Sequence, residues 1–208
     1  MATIQITSTS APFDRPEIAR SAAGVISTAD AMGLLDDLEI RRLDLNSFRE
    51  VVGKIAEAGI GTEIQAALSS TRADIDRKQI ADLLNWLVTV MEDSPVPEHE
   101  WSSLEDLFGT ERLAQLLGVS PASVRRYRAG ARETPDELAF RLHFLAKLVG
   151  DLAGAYNQFG IRRWFDRPRT ALDGMAPAEV LQGAWEVDST RVRRLRELAR
   201  SLTGSPAT

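Results

Sequence analysis

Residues Thr110 to Ala129, TERLAQLLGVSPASVRRYRA, constrain the fold more than any other stretch of this chain. The pattern predicts two short helices around a glycine turn, a helix-turn-helix, which presents its second helix to the DNA major groove. Ala114 is small where a second helix must cross closely. Gly118 stands at the turn, where a positive φ costs glycine nothing. Leu113, Leu117, Val119, Val124 and Tyr127 supply apolar contacts between the helices. Ser120 is placed to cap the second helix, with Pro121 in its first turn. Ser120, Ala122, Ser123, Arg125 and Arg126 are then left facing outward. A helical hairpin that serves only as scaffold is the other reading of the same pattern.

The net charge of −5 looks adverse to DNA until the 208 residues are divided. Residues 1–100 hold 9 Lys and Arg against 17 Asp and Glu, whereas residues 101–208 hold 16 against 13. All but one of those sixteen bases are arginine. The asymmetry points to different partners for the two halves. Because the basic excess is small, phosphate binding depends on local clustering. With no cysteine, disulfides and thiolate metal sites are excluded. That suits a reducing cytoplasm, where we expect the protein to work. Apolar runs are short and broken by charge, so no membrane span is expected. The first residues lack the order of a signal peptide.

Periodicity is helical almost throughout, and the expected class is all-α. Residues 1–12 read as a flexible tail, and 13–96 as an acidic helical domain. In that domain Asp14 to Asp44 reads as two short helices. Asn46 is a plausible cap for a helix burying Phe48, Val51, Val52 and Ile55, ended by Gly59. Thr62–Leu68 and Asp74–Met91 read as further helices, the latter with Trp86 beside its apolar stripe. The run SPVPEHEW, residues 94–101, reads as a linker. Residues 97–158 hold the helix-turn-helix and a long amphipathic helix from Pro135 to about Asn157. Thr134, Pro135 and Glu137 form its expected capping box. Leu138, Leu142, Leu145, Val149, Leu152 and Tyr156 make a seam, either packed within one protomer or shared by a homodimer. Gly160 is expected to break the helix. Residues 159–208 form a small C-terminal helical module: a turn of helix at Ile161–Phe165, a loop, a short helix from Pro177 and a last helix. That helix buries Val192, Leu195, Leu198 and Leu202 and exposes Arg191, Arg193, Arg194, Arg196 and Arg200.

From Gly118 to about Leu202 the chain resembles the Xre/MbcA/ParS family of antitoxins. The helix pair followed by a proline-capped long helix carries part of the likeness. The segment RRWFDRPRTALDGMAPAEVL carries the rest, with Trp164, Pro168, Leu172, Gly174, Pro177 and Leu181 in the family's order. The resemblance implies an all-α, dimeric protein that binds its own promoter. It also implies a partner, a RES-domain toxin that consumes NAD, blocked by the C-terminal region. An acidic extension of some hundred residues departs from the family's usual length.

For duplex DNA the candidate contacts are Ser120, Ala122, Ser123, Arg125, Arg126, Arg128 and Arg132. Arg125 and Arg126 suit base edges, Arg128 and Arg132 the backbone. A solvated arginine face is the alternative. For a protein partner the candidates are Arg162, Arg163, Trp164, Phe165, Arg167, Gly174 and Pro177; core packing competes for the two aromatics. Trp86, Trp101 and Trp185 read as core or linker-packing residues. His99 and His143 read as isolated, so no metal site is expected. Asp36–Asp37 and Glu92–Asp93 read as solubilising pairs. Without a nucleophile elbow or phosphate-binding glycine loop, no catalytic residue, cofactor or small-molecule substrate is expected.

Overall fold

The computed structural model describes residues 3–70 and 75–204. The chain divides into two compact units, Met1–Pro95 and Val96–Thr208. It is mainly helical, with one small parallel sheet in the first unit.

In the first unit the order is β1 (Thr3–Thr9), α1 (Pro16–Ala31), β2 (Glu39–Leu43), α2 (Leu45–Glu57), α3 (Thr62–Ser70) and α4 (Arg77–Glu92). Two expectations fail here. Residues 3–9 are a strand rather than a tail, and Asp14–Asp44 holds one long helix and a strand rather than two helices. TIQITST is β-branched at five of seven positions, and such side chains fit a pleated surface. β1 and β2 run parallel through the α1 crossover, pairing Thr3 with Glu39 and Thr9 with Leu43 around an irregularity between Ile4 and Ser8. The all-α class therefore holds for the second unit and only broadly for the first.

Helix α2 begins a residue ahead of Asn46. Asp44 is its cap, accepting from the Asn46 and Ser47 amides at 3.0 Å, while the Ser47 hydroxyl takes the Asp44 amide. Two satisfied end donors make this the better start. Asp74, the expected start of α4, lies outside the described residues; Asp76 caps that helix. Phe13, Ile26, Leu35, Phe48, Ile55, Ile64, Ile80 and Leu87 fill the core. Trp86 is not among them: 45% of it is exposed, because it stands beside the buried stripe of α4.

In the second unit the order is α5 (Pro97–Phe108), α6 (Thr110–Leu117), α7 (Pro121–Arg128), α8 (Asp136–Ala153), α9 (Gln158–Phe165), a 3₁₀ turn (Thr170–Leu172), α10 (Pro177–Val180) and α11 (Thr190–Gly204). The expected linker is thus the start of a helix, with Pro97 in its first turn. Trp101, Leu104, Leu107 and Phe108 bury its inner face.

Helix α8 is the axis of the unit, packed by α5, α6, α9 and α11. Its seam from Leu138 to Leu152 is buried within one protomer, the first of the two expected readings, and Tyr156 lies half-buried beyond the end of the helix. The expected capping box is absent. Pro135 stands at the cap position, and the Thr134 hydroxyl accepts the Trp101 indole N–H at 2.9 Å instead. Gly160 does not end α8; it lies inside α9, which Asn157 caps through the Gly160 amide at 2.9 Å.

Candidate nucleic-acid interface

Helices α6 and α7 are eight residues each, joined across residues 118–120. Gly118 ends α6 with φ +68° and ψ +31°, the left-handed region. Its missing side chain has a second use. A Cβ there would stand 2.5 Å from the Gly183 carbonyl oxygen, so a C-terminal loop packs directly on the turn. That loop is held by Trp185, whose indole N–H donates to the Leu116 carbonyl at 2.8 Å. The bond satisfies a carbonyl that the end of α6 leaves without a helical partner. The Trp185 ring also meets Phe144 edge-on at 5.5 Å and lies under the Arg141 guanidinium.

Ser120 caps α7 through the Ser123 amide at 3.1 Å. Val124 and Tyr127 are the buried side chains of this helix. Tyr127 stacks on Trp101 with ring centroids 5.3 Å apart and planes 12° from parallel. These two residues are the buried apolar contacts that α7 makes with α5 and α6.

Its outward face carries Ser120, Ala122, Arg125 and Arg126, all exposed, with Ser123 half-buried. Arg126 has no ion-pair partner among the described residues. Arg125 reaches Glu111 at 3.4 Å, with both side chains mostly in solvent, an arrangement worth little. Arg132 is exposed and lies over the Tyr127 ring at 5.5 Å.

Arg128 is differently placed. It bonds Glu105 at 2.6 Å and Asp106 at 3.2 Å, tying α7 to α5. Glu105 is nearly buried and also accepts from the Thr110 hydroxyl. Burial opposes its ionisation, but the Thr110 hydroxyl and the Arg128 guanidinium outweigh it and hold the carboxyl below the usual range. Arg128 is therefore a brace for α7 rather than a freely available phosphate contact. Glu105, Asp106 and Trp101 were missed as supports of this face. The spacing of Trp101, Leu104, Leu107 and Phe108 is a helical signal, obscured by the two prolines before it.

His143 is not isolated. Its Nδ1 lies 2.5 Å from a Glu100 oxygen, with both side chains sealed between α5 and α8. Desolvation pushes the Glu100 carboxyl upward against the pull of His143. Among the described residues no cluster of His, Asp and Glu could hold a metal ion. Among the described residues no helix is long and apolar enough to cross a membrane.

The candidate partner residues divide in two. Trp164, Phe165 and Pro177 are buried, so they pack the unit and cannot meet a partner on its surface. Phe165 meets Phe108 edge-on at 5.0 Å, and Arg169 lies over the Trp164 ring. Arg162, Arg163, Arg167 and Gly174 are exposed. Arg162 donates to the Leu107 carbonyl near the end of α5 at 3.1 Å. Trp101 and Trp185 are core residues.

Comparison with protein-family models, with curated proteins and with solved structures finds no match to this chain.

Proposed function

We propose that the second unit binds duplex DNA through the exposed face of α7 and acts as a transcriptional repressor. The single observation that carries this reading is the pairing of exposure with support. Ser120, Ala122, Arg125 and Arg126 point to solvent from a helix whose cap, core contacts and arginine brace leave it little freedom. An eight-residue helix is about 12 Å long, comparable with the width of the major groove. Arginine suits guanine O6 and N7, and a preorganised helix avoids the ordering cost of binding.

The resemblance to antitoxins adds a second partner to this reading, a RES-domain toxin. Of the residues it implicates, Arg162, Arg163, Arg167 and Gly174 are the ones available on the surface. They would meet an acidic rim rather than insert an aromatic anchor.

The test is fluorescence anisotropy with duplexes selected from a random library by the full-length protein. Wild type is expected to bind with an affinity that falls steeply with salt. Arg125→Ala with Arg126→Ala is expected to lose sequence preference and to weaken binding to the selected duplex roughly tenfold or more. Equal binding by wild type and double variant, or no selection by wild type at low salt, overturns the reading.

A further inference from the structure

We infer that the outer edge of β1 is a homodimer interface, with β1 of one copy pairing antiparallel with β1 of a second. The inference concerns the first unit and does not depend on DNA binding.

Among the described residues the sheet has two strands, so each strand has one edge that the other does not pair. An isolated two-stranded sheet is marginal in water and needs helices or further strands to cover it; here β2 packs on α2 and buries Ile40 and Leu43, whereas the isoleucines of β1 are only half-buried. Among the described residues, the backbone groups of β1 make no hydrogen bond to any element other than β2. Every second amide and carbonyl of an edge strand points away from its neighbour, a template for another strand.

The two edges of this sheet differ in the way that matters. β2 carries Glu39, Arg41 and Arg42, all exposed, with Arg41 paired to Glu39 at 2.6 Å and Arg42 to Asp44 at 3.3 Å. Charge on an edge strand discourages pairing. β1 carries none. Residues 1–13, MATIQITSTSAPF, hold no charged side chain, in a first unit where acids exceed bases. Ile4 and Ile6 are half-buried, while Gln5, Thr7 and Ser8 are exposed. A guarded edge beside an unguarded one points to use of the second.

The occupant that fits is a second copy. Two-fold symmetry pairs a strand with itself, antiparallel, so each residue must tolerate its own neighbourhood. An uncharged strand does so, whereas most of this acidic unit would set carboxylates against carboxylates. Pairing yields a four-stranded sheet ordered β2–β1–β1–β2, with the charged strands outermost, and lets the isoleucines of both copies share cover.

The test uses the full-length protein without DNA, followed by sedimentation across concentration. Wild type is expected to dimerise reversibly. Gln5→Lys with Ser8→Lys adds like charges at exposed positions, where the fold tolerates them. It is expected to weaken association roughly tenfold or more, with an unchanged circular dichroism spectrum. The chain has no cysteine, so single substitutions report cleanly. In a series of Gln5→Cys, Ile6→Cys, Thr7→Cys and Ser8→Cys, the residue nearest the two-fold axis is expected to form a disulfide-linked dimer, and its flanking positions far less. A wild type that stays monomeric, a lysine variant that still dimerises, or crosslinking independent of position overturns the inference.

Discussion

Helices α7 and α11 are both rich in arginine, yet they use it differently. On α11, Arg196 reaches Asp151 of α8 at 3.1 Å, Arg200 reaches the same carboxylate at 3.6 Å and Arg194 reaches Asp173 at 3.3 Å, while Arg191 and Arg193 are exposed with no ion pair among the described residues. On α7, one arginine of three is braced by near-buried acid, one holds a loose surface pair and one faces solvent alone. The difference lies in the opposing element. Helix α8 offers Asp151 beneath α11, whereas among the described residues of the second unit no buried carboxylate meets Arg125 or Arg126 on the outer side of α7. Residue type says that a guanidinium will seek a carboxylate. The neighbouring helix decides whether it finds one inside the protein or leaves the cation for another molecule.

The largest effect that would break this contrast is expected at the turn that aims α7. Gly118→Ala forces a side chain into the left-handed region and against the Gly183 carbonyl. A loss of about 2–4 kcal/mol is expected in urea unfolding, with weakened DNA binding. Next comes the brace. Glu105→Ala removes the partner of Arg128 and Thr110 and is expected to cost about 1.5–3 kcal/mol, less than a fully buried pair because Arg128 is partly exposed.

The same carboxyl sets a pH dependence. Its folded pKa is lowered, so its contribution is complete above the ordinary value of 4.5 and is lost as pH falls through the lower folded value. Glu100 has the opposite sign. Its folded pKa is raised, so it erodes stability as pH climbs from 4.5 toward that higher value. Unfolding measured across acidic pH is expected to show Glu105→Ala lacking the acid-side fall and Glu100→Gln lacking the opposing slope.

On α11, Asp151→Ala is expected to cost about 1 kcal/mol, read as a small drop in thermal midpoint. Smallest of all, Arg126→Ala is expected to change stability by less than about 0.5 kcal/mol while weakening DNA binding. That separation of fold from binding is what distinguishes a reading helix from a structural one. If Arg126→Ala destabilises the protein as much as Glu105→Ala, the contrast between α7 and α11 fails.

Much of the second unit was legible in its residues. Gly118, Ser120 and Pro121 each act within a few positions of themselves, so the turn and cap could be read locally. The brace at Glu105 and the loop at Gly183 could not, since they join residues 23 and 65 positions apart along the chain. Trp164 illustrates the same limit. Tryptophan beside arginine suits an interface or a core equally well, and burial alone chose the core. In the first unit β1 was missed because a short run of Thr, Ser and Ile becomes a strand only when β2 lies beside it.

By itself the sequence determined most of the helical segments of the second unit, where α6 ends and α7 begins, and that acid and base are divided between the two halves. These follow from period, backbone freedom and composition, which need no distant partner. The tertiary structure alone decided which arginines are braced, which aromatics are sealed, where the leucine seam is covered and which strand edge stays open. Each of those depends on what lies across a contact, and chain order does not encode it locally.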